Sequence, residues 1–181
     1  RSQYAIFIAG PTASGKTSLA LDVVARLVGA GALSDPSDAV IINADSMQVY
    51  DTLQVLSARP DEGEMADVPH RMFGFLSPGQ AFSVAEWADM AMQEVLSAHE
   101  AGRLPILVGG TGLYFKALLG GLAVVPDIPD DIRAQVRDQQ AELGAHALHV
   151  MLSEEDPRMA ARLEEGDSQR IARALEVVRA T

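Results

Sequence analysis

Between a short apolar run, Tyr4 to Ala9, and a segment of helical apolar spacing that begins at Lys16 stands Gly10-Pro11-Thr12-Ala13-Ser14-Gly15-Lys16-Thr17. The pattern fits G-x-x-x-x-G-K-[ST] in full, and a strand before it with a helix after it is the context that gives it meaning. Its glycines let backbone N–H groups wrap an anion, and the helix start adds a favourable dipole. Lys16 brings a point charge, and Thr17 a hydroxyl suited to Mg²⁺. The expected phosphate-binding set is therefore Gly10, Thr12, Ala13, Ser14, Gly15, Lys16, Thr17 and Ser18, with Thr17 the metal ligand and Lys16 active in catalysis as well.

The rest of the first two thirds alternates strand and helix. Val40-Ile41-Ile42 is a second β-branched run that leads into the polar segment Asn43-Ala44-Asp45-Ser46-Met47-Gln48. Residues 57–82 are rich in Pro, Gly and acids without sustained period, and are expected as a long surface connection, a type that is often functional. Ser83-Val84-Ala85-Glu86 has the form of a capping box and opens a helix to about Ala101, stopped by Gly102. Leu104 to Val108 is a third strand, broken by Gly109-Gly110-Thr111-Gly112 and followed by a helix over Leu113 to Leu119. Such alternation implies a parallel sheet with right-handed crossovers, so the fold class is α/β: a P-loop NTPase-like parallel sheet flanked by helices. After Gly120-Gly121 come Pro126, Pro129 and three helical patterns, at 130–143, 154–165 and 168–180. The expected organisation is a catalytic core over 1–120, a helical insertion domain over 121–167, and a helix over 168–181 that returns to the core.

Composition narrows the classes. With 181 residues, 48% of them hydrophobic and 22% charged, the chain is able to bury a sizeable core. It contains no cysteine, which excludes disulfides, thiolate zinc sites and a cysteine nucleophile, so any metal is held by oxygen or imidazole. No apolar run approaches the roughly 20 residues of a bilayer span, and Arg1-Ser2-Gln3 does not open a signal peptide. The expectation is a cytoplasmic monomer without membrane contact. The net charge of −11 counts against a nucleic-acid partner, because affinity for a phosphate backbone comes largely from Lys and Arg. A local basic groove inside an acidic protein would answer that objection.

A phosphate loop alone does not say which bond is broken, since the same cradle serves kinases, hydrolases and any enzyme that holds a diphosphate. In open α/β sheets ligands sit beyond the carboxyl ends of the strands, where Asp45 and the Gly109–Gly112 loop both emerge. Asp45 reads as a Mg²⁺ ligand in the manner of a Walker B carboxylate, as a general base, or as a cap of the next helix. Arg170 and Arg173 share a helix face, to bind phosphate or stack on a base, or else to pair with Glu164, Glu165 or Asp167 in a solvated face. His146 and His149 are spaced i, i+3 with no third ligand in view, which favours surface or packing roles over a metal. Trp87 and the methionines near it read as core.

Five blocks together resemble one family. Ile6 to Thr17, Asn43 to Tyr50, Val68-Pro69-His70, Val108 to Tyr114 and Gln169 to Val177 are similar, in this order, to the tRNA dimethylallyltransferases. The Asp-Ser-x-Gln-x-Tyr block and the Gln-Arg-x-x-Arg-Ala-Leu-Glu-Val block are the more specific. The resemblance implies transfer of a dimethylallyl group from dimethylallyl diphosphate to N6 of the adenosine on the 3′ side of the anticodon, with release of pyrophosphate. It implies that Asp45 is the general base, that Thr111 hydrogen-bonds near the reacting centre, and that Mg²⁺ is the cofactor. It also implies tRNA contacts from Asp45, Ser46, Met47, Gln48, Arg133, Gln169, Arg170, Ile171, Ala172 and Arg173. The chain departs from the family at Arg71, where a second histidine is usual. Family members also continue past the position of Thr181, so this chain is expected to be part of a longer protein. The rivals are an ATP-dependent small-molecule kinase, a prenyltransferase acting on free adenine nucleotides, and a non-catalytic phosphate or RNA binder.

Overall fold

The structure, a computed structural model, describes residues 4–61, 63–65, 67–122 and 127–181; Arg1 to Gln3 and Pro126 lie outside them. The chain forms two compact units that divide after Leu122. In the first, β1 (Ile6–Ala9) runs through the phosphate loop into α1 (Lys16–Gly29). α1 ends at Gly29 and is closed off just beyond it: Gly31 takes φ 72°, and the N–H groups of Gly31 and Ala32 close back on the carbonyls of Val28 and Leu27. A capped 3-10 turn at Pro36–Asp38 delivers β2 (Ala39–Asn43).

The stretch expected as an irregular connection carries two elements. α2 (Gln54–Ser57) is a single turn, and β3 (His70–Arg71) pairs in parallel with β2, Ile41 opposite His70. A strand of two residues has no periodicity to read, and tertiary pairing alone defines it. Val68, Met72 and Leu76, buried on either side of β3, anchor this segment to the core. Next come α3 (Val84–Glu100), β4 (Leu104–Gly109) and α4 (Gly112–Gly120). The expected capping box of α3 is present. Ser83 Oγ accepts from the Glu86 N–H at 3.1 Å, and Glu86 Oε2 accepts from the Ser83 N–H at 2.7 Å.

The sheet order is β1-β4-β2-β3 with every pairing parallel. All five residues of β2 are buried, as a central strand covered on both faces requires. Side chains divide with period two. Val40, Ile42, Ala44 and Leu107 pack with α3 and α4, whereas Ala39, Ile41, Ile106 and Val108 pack with α1 through Ala20 and Val24.

The second unit is helical. α5 (Asp130–Glu155) is two helices joined at Gly144, whose φ of 78° and ψ of 175° no continuous helix tolerates. The pattern expected at 130–143 is thus its first half. Its second half covers 145–155, where Leu148 and Leu152 bury the same face one turn apart. The helix expected over 154–165 is corrected to the single turn α6 (Pro157–Ala160), because Pro157 cannot continue α5 and the Asp156 carboxylate caps the Met159 N–H instead. α7 (Ser168–Ala180), the helix expected to return to the core, buries Ile171, Ala172 and Leu175 with Val136, Leu148 and Leu152 in one cluster. Among the described residues no helix is long and apolar enough to cross a membrane.

Candidate active site

The parallel register sets the site. Because Ala9 lies opposite Gly109 and Asn43 opposite Val108, three strands end side by side, and the phosphate loop, the Asp45 turn and the Gly110–Thr111 loop leave the sheet together. The Gly10 N–H donates to Gly109 O at 3.3 Å, and the Thr111 N–H to Ala44 O at 3.1 Å. Gly109 is required here. A Cβ on it would stand 2.0 Å from the Ala44 carbonyl oxygen, inside backbone that cannot move without opening the sheet.

Around these ends lies a cavity of about 360 Å³, in the range of small-ligand sites. Thr12, Ala13, Ser14, Gly15, Lys16, Thr17 and Ser18 line one side and Asp45 and Gln48 another, so the expected phosphate set is brought together with the candidate base. Gly10, expected in that set, is not in the lining: its N–H is taken by Gly109 O at the strand end. Ala13 and Gly15 sit in the left-handed region at φ 61° and 77°, which tilts successive N–H groups toward one concave side and makes an anion nest ahead of α1. The Lys16 ammonium donates to the Pro11 carbonyl at 2.6 Å, which folds it over the loop.

Asp45 does not cap a helix, as one of its readings had it. A turn follows it, and α2 begins only at Gln54. Its Oδ1 accepts the Met47 N–H at 2.9 Å, a side-chain turn two residues long. Oδ2 takes no hydrogen bond from the described residues, and a Cβ on Gly110 would lie 3.4 Å from it, so the bare glycine keeps this oxygen approachable. Thr111 braces the same turn: Oγ1 accepts the Ser46 N–H at 2.9 Å and donates to Ser46 Oγ at 3.3 Å.

Reading the sequence missed the far wall. Ser57, Ala58, Pro60 and Glu64 complete the cavity. Gln48 holds that wall, its amide donating to Ser57 O at 2.9 Å and to Ala58 O at 3.2 Å. Arg59 reaches back to the carbonyls of Tyr50 and Asp51, at 3.0 Å each, through space that a Cβ on Gly74 would fill. No local signal marks such a wall, since it forms only when α2 folds against the turn after β2. Met47, expected to contact tRNA, is half exposed. Behind the site Trp87 is wholly buried and stacks on Tyr114, ring centroids 4.2 Å apart. Burial first, then the nearby Tyr50 and Asp45 charges, push the Tyr114 hydroxyl up to about 12, so it stays protonated.

The remaining expected tRNA contacts lie in the second unit. Arg133 forms a loose pair with Asp130 at 3.9 Å. On α7, Arg170 pairs with Asp167 at 3.3 Å and Arg173 with Glu176 at 2.9 Å, each three residues apart, while Ile171 and Ala172 are buried. Gln169 precedes them on the first turn of α7. His149 is a packing residue whose Nε2 meets the carbonyls of Ala160 and Leu163, and His146 pairs with Glu165 at 3.0 Å. Arg71 spans to Glu94 at 3.8 Å.

A family model described as IPP transferase matches residues 48–181. A tRNA dimethylallyltransferase of Rhodospirillum centenum is 49% identical over 176 residues, covering 97% of this chain and 53% of that protein. One of Granulibacter bethesdensis is 50% identical over 181 residues, covering 100% and 54%. The chain thus spans about half the length of the curated relatives it matches. Among solved structures, the full-length tRNA isopentenylpyrophosphate transferase of Bacillus halodurans is similar at a TM-score of 0.60 and 36% identity, over 99% of this chain and 56% of that one. A eukaryotic dimethylallyltransferase acting on tRNA shares the fold at a TM-score of 0.75 and 23% identity, over 97% and 41%. On the extent of these matches, the chain belongs to the IPP transferase family.

Proposed function

We propose that the protein to which this chain belongs transfers a dimethylallyl group from dimethylallyl diphosphate to N6 of the adenosine 3′ to the anticodon of tRNA, releasing pyrophosphate. The observation that carries the reading is the convergence, on one cavity, of an anion nest with its lysine and a carboxylate whose Oδ2 is open. The names of the relatives support the same chemistry.

The adenine amine is a weak nucleophile that must lose a proton as its C–N bond forms, and Asp45 Oδ2 accepts that proton. Negative charge grows on the departing diphosphate, where the amides of residues 12–18 and the Lys16 ammonium, released from Pro11, stabilise it. Thr111 holds the Asp45–Ser46 turn still while this happens. Mg²⁺ fits the donor set. The described residues offer no cluster of three His, Asp or Glu, but this ion is commonly bound through few protein oxygens together with substrate phosphates. Thr17 would hold it, and when bound it would offset diphosphate charge. Arg133, Gln169, Arg170 and Arg173 supply RNA contacts, while Ile171 and Ala172 are buried and hold α7 in place.

In the full-length protein, Asp45→Asn should lower turnover by about 10²- to 10⁴-fold while donor and tRNA affinities change much less. The amide keeps the size of the carboxylate and still accepts the Met47 N–H, so the turn survives. Near-normal turnover would remove Asp45 from the mechanism. Supplying ATP in place of dimethylallyl diphosphate tests the kinase alternative in the same assay.

A further inference from the structure

Asn43, the last residue of β2, is wholly out of solvent, whereas Ser57, the other buried polar residue among the described ones, keeps 7% exposure. Both N–H donors of its carboxamide and its oxygen are engaged. Oδ1 accepts the Asp45 N–H at 2.9 Å, and Nδ2 donates to the Asp45 carbonyl at 3.0 Å and to the Met72 carbonyl at 3.0 Å. Its own backbone carbonyl accepts the Trp87 Nε1–H at 3.0 Å. The side chain therefore grips both ends of the Asp45 residue, N–H and C=O, and ties it to the segment after β3. Met72, which supplies that third bond, sits at φ 64°, a left-handed conformation that long side chains rarely adopt. Strain of this kind persists where surrounding contacts over-determine it, and it gathers at functional sites.

Chemistry dictates the residue type. Only a carboxamide offers an acceptor and two donors from one short planar group. Leucine would fill the volume and hold nothing, while an ionised aspartate would accept the Asp45 N–H but donate to neither carbonyl. A strand core this apolar has no packing reason to end in Asn43, and what the amide fixes is the backbone from which the carboxylate projects.

We infer that Asn43 is the positioning residue for the general base: its buried carboxamide clamps the Asp45 backbone so that Oδ2 meets the reacting amine at a fixed place. The inference rests on the assignment of Asp45 as that base. Proton transfer is sensitive to displacements of an ångström or less, so a loosened clamp is felt in kcat before it is felt in binding.

The test is a double-mutant cycle in the full-length protein, read by single-turnover prenylation of tRNA and by pyrophosphate affinity. Asn43→Ala is expected to lower kcat by about 10- to 100-fold with KM for the donor and pyrophosphate affinity nearly unchanged. In an Asp45→Asn background the same change should cost little more, because the base it positions is already gone. Asn43→Ser, which restores one hydroxyl and leaves a smaller void, should recover part of the loss and serves if the alanine variant folds poorly. Equal losses in both backgrounds, or a fall in pyrophosphate affinity alongside kcat, would make Asn43 a structural residue and overturn the clamp alone. Near-normal turnover of Asp45→Asn by itself would overturn the base assignment, and the clamp with it.

Discussion

Lys16 shows how one side chain is set by its neighbours. Its ammonium rests on the Pro11 carbonyl at 2.6 Å, a neutral acceptor that any diphosphate oxygen would outbid by charge. Replacing it with alanine leaves the amide nest but removes the cation. Pyrophosphate affinity of Lys16→Ala should therefore fall by about 10- to 100-fold, as for one lost charged hydrogen bond, measured by titration calorimetry. Unchanged affinity would detach the loop from the donor. His70 makes a different prediction. Its Nδ1–H donates to the Val68 carbonyl at 2.7 Å, leaving Nε2 buried with no partner among the described residues. Burial pulls its pKa below the ordinary 6.5, against the smaller opposing pull of the Val68 bond. The folded state thus binds the proton less readily than the unfolded chain. The stability that follows is full above the unfolded value of 6.5 and drains away as pH falls through the folded one. Urea midpoints should drop between about pH 7.5 and about pH 5.5, and His70→Gln should flatten that drop. An equal drop in the variant would place the titration elsewhere.

At the scale of elements, α3 is the best-specified helix of the chain and β3 the least. α3 opens on the reciprocal Ser83–Glu86 box and closes on Gly102, at φ 72°, with the Arg103 N–H returning to Ala98 O. Both ends are written in local sequence. Ser83→Ala should cost roughly 0.5–2 kcal/mol of unfolding free energy by urea titration, leaving donor affinity unchanged because neither Ser83 nor Glu86 lines the cavity. A loss of donor affinity would tie α3 to the site more tightly than its contacts suggest. β3, by contrast, exists because β2 offers it an edge, and through Met72 it reaches Asn43. The residue that follows an element without sequence signature thus touches the side chain that grips the candidate base.

At the scale of the whole molecule, a net charge of −11 has to be reconciled with the proposed RNA partner. In the second unit the arginines expected to meet RNA are already paired, Arg170 with Asp167 and Arg173 with Glu176. Both guanidinium groups are themselves exposed, and pairs at a surface are worth little, so a phosphate is able to compete with the carboxylate for them. Arg173→Ala should flatten the salt dependence of tRNA binding by about one unit of slope in log K against log salt, determined by filter binding of the full-length protein. An unaltered slope would return α7 to a solvated face.

The sequence by itself determined the phosphate loop, the strand-to-helix alternation, the capping box and Asp45 as the residue to watch, because each is a local pattern whose physics acts within about one turn or one strand. It also separated the sheet-forming part from the helical one. Tertiary structure alone decided the rest. The order β1-β4-β2-β3 brings Gly10, Asp45 and Thr111 to one edge, and Gly109 is obligatory only because Ala44 presses against it. Gly144 and Pro157 moved the helix limits of the second unit, and Asn43 acquired its partners from residues 29 and 44 positions away. Contacts between distant segments leave no period in the chain, so their consequences appear only when the strands are side by side.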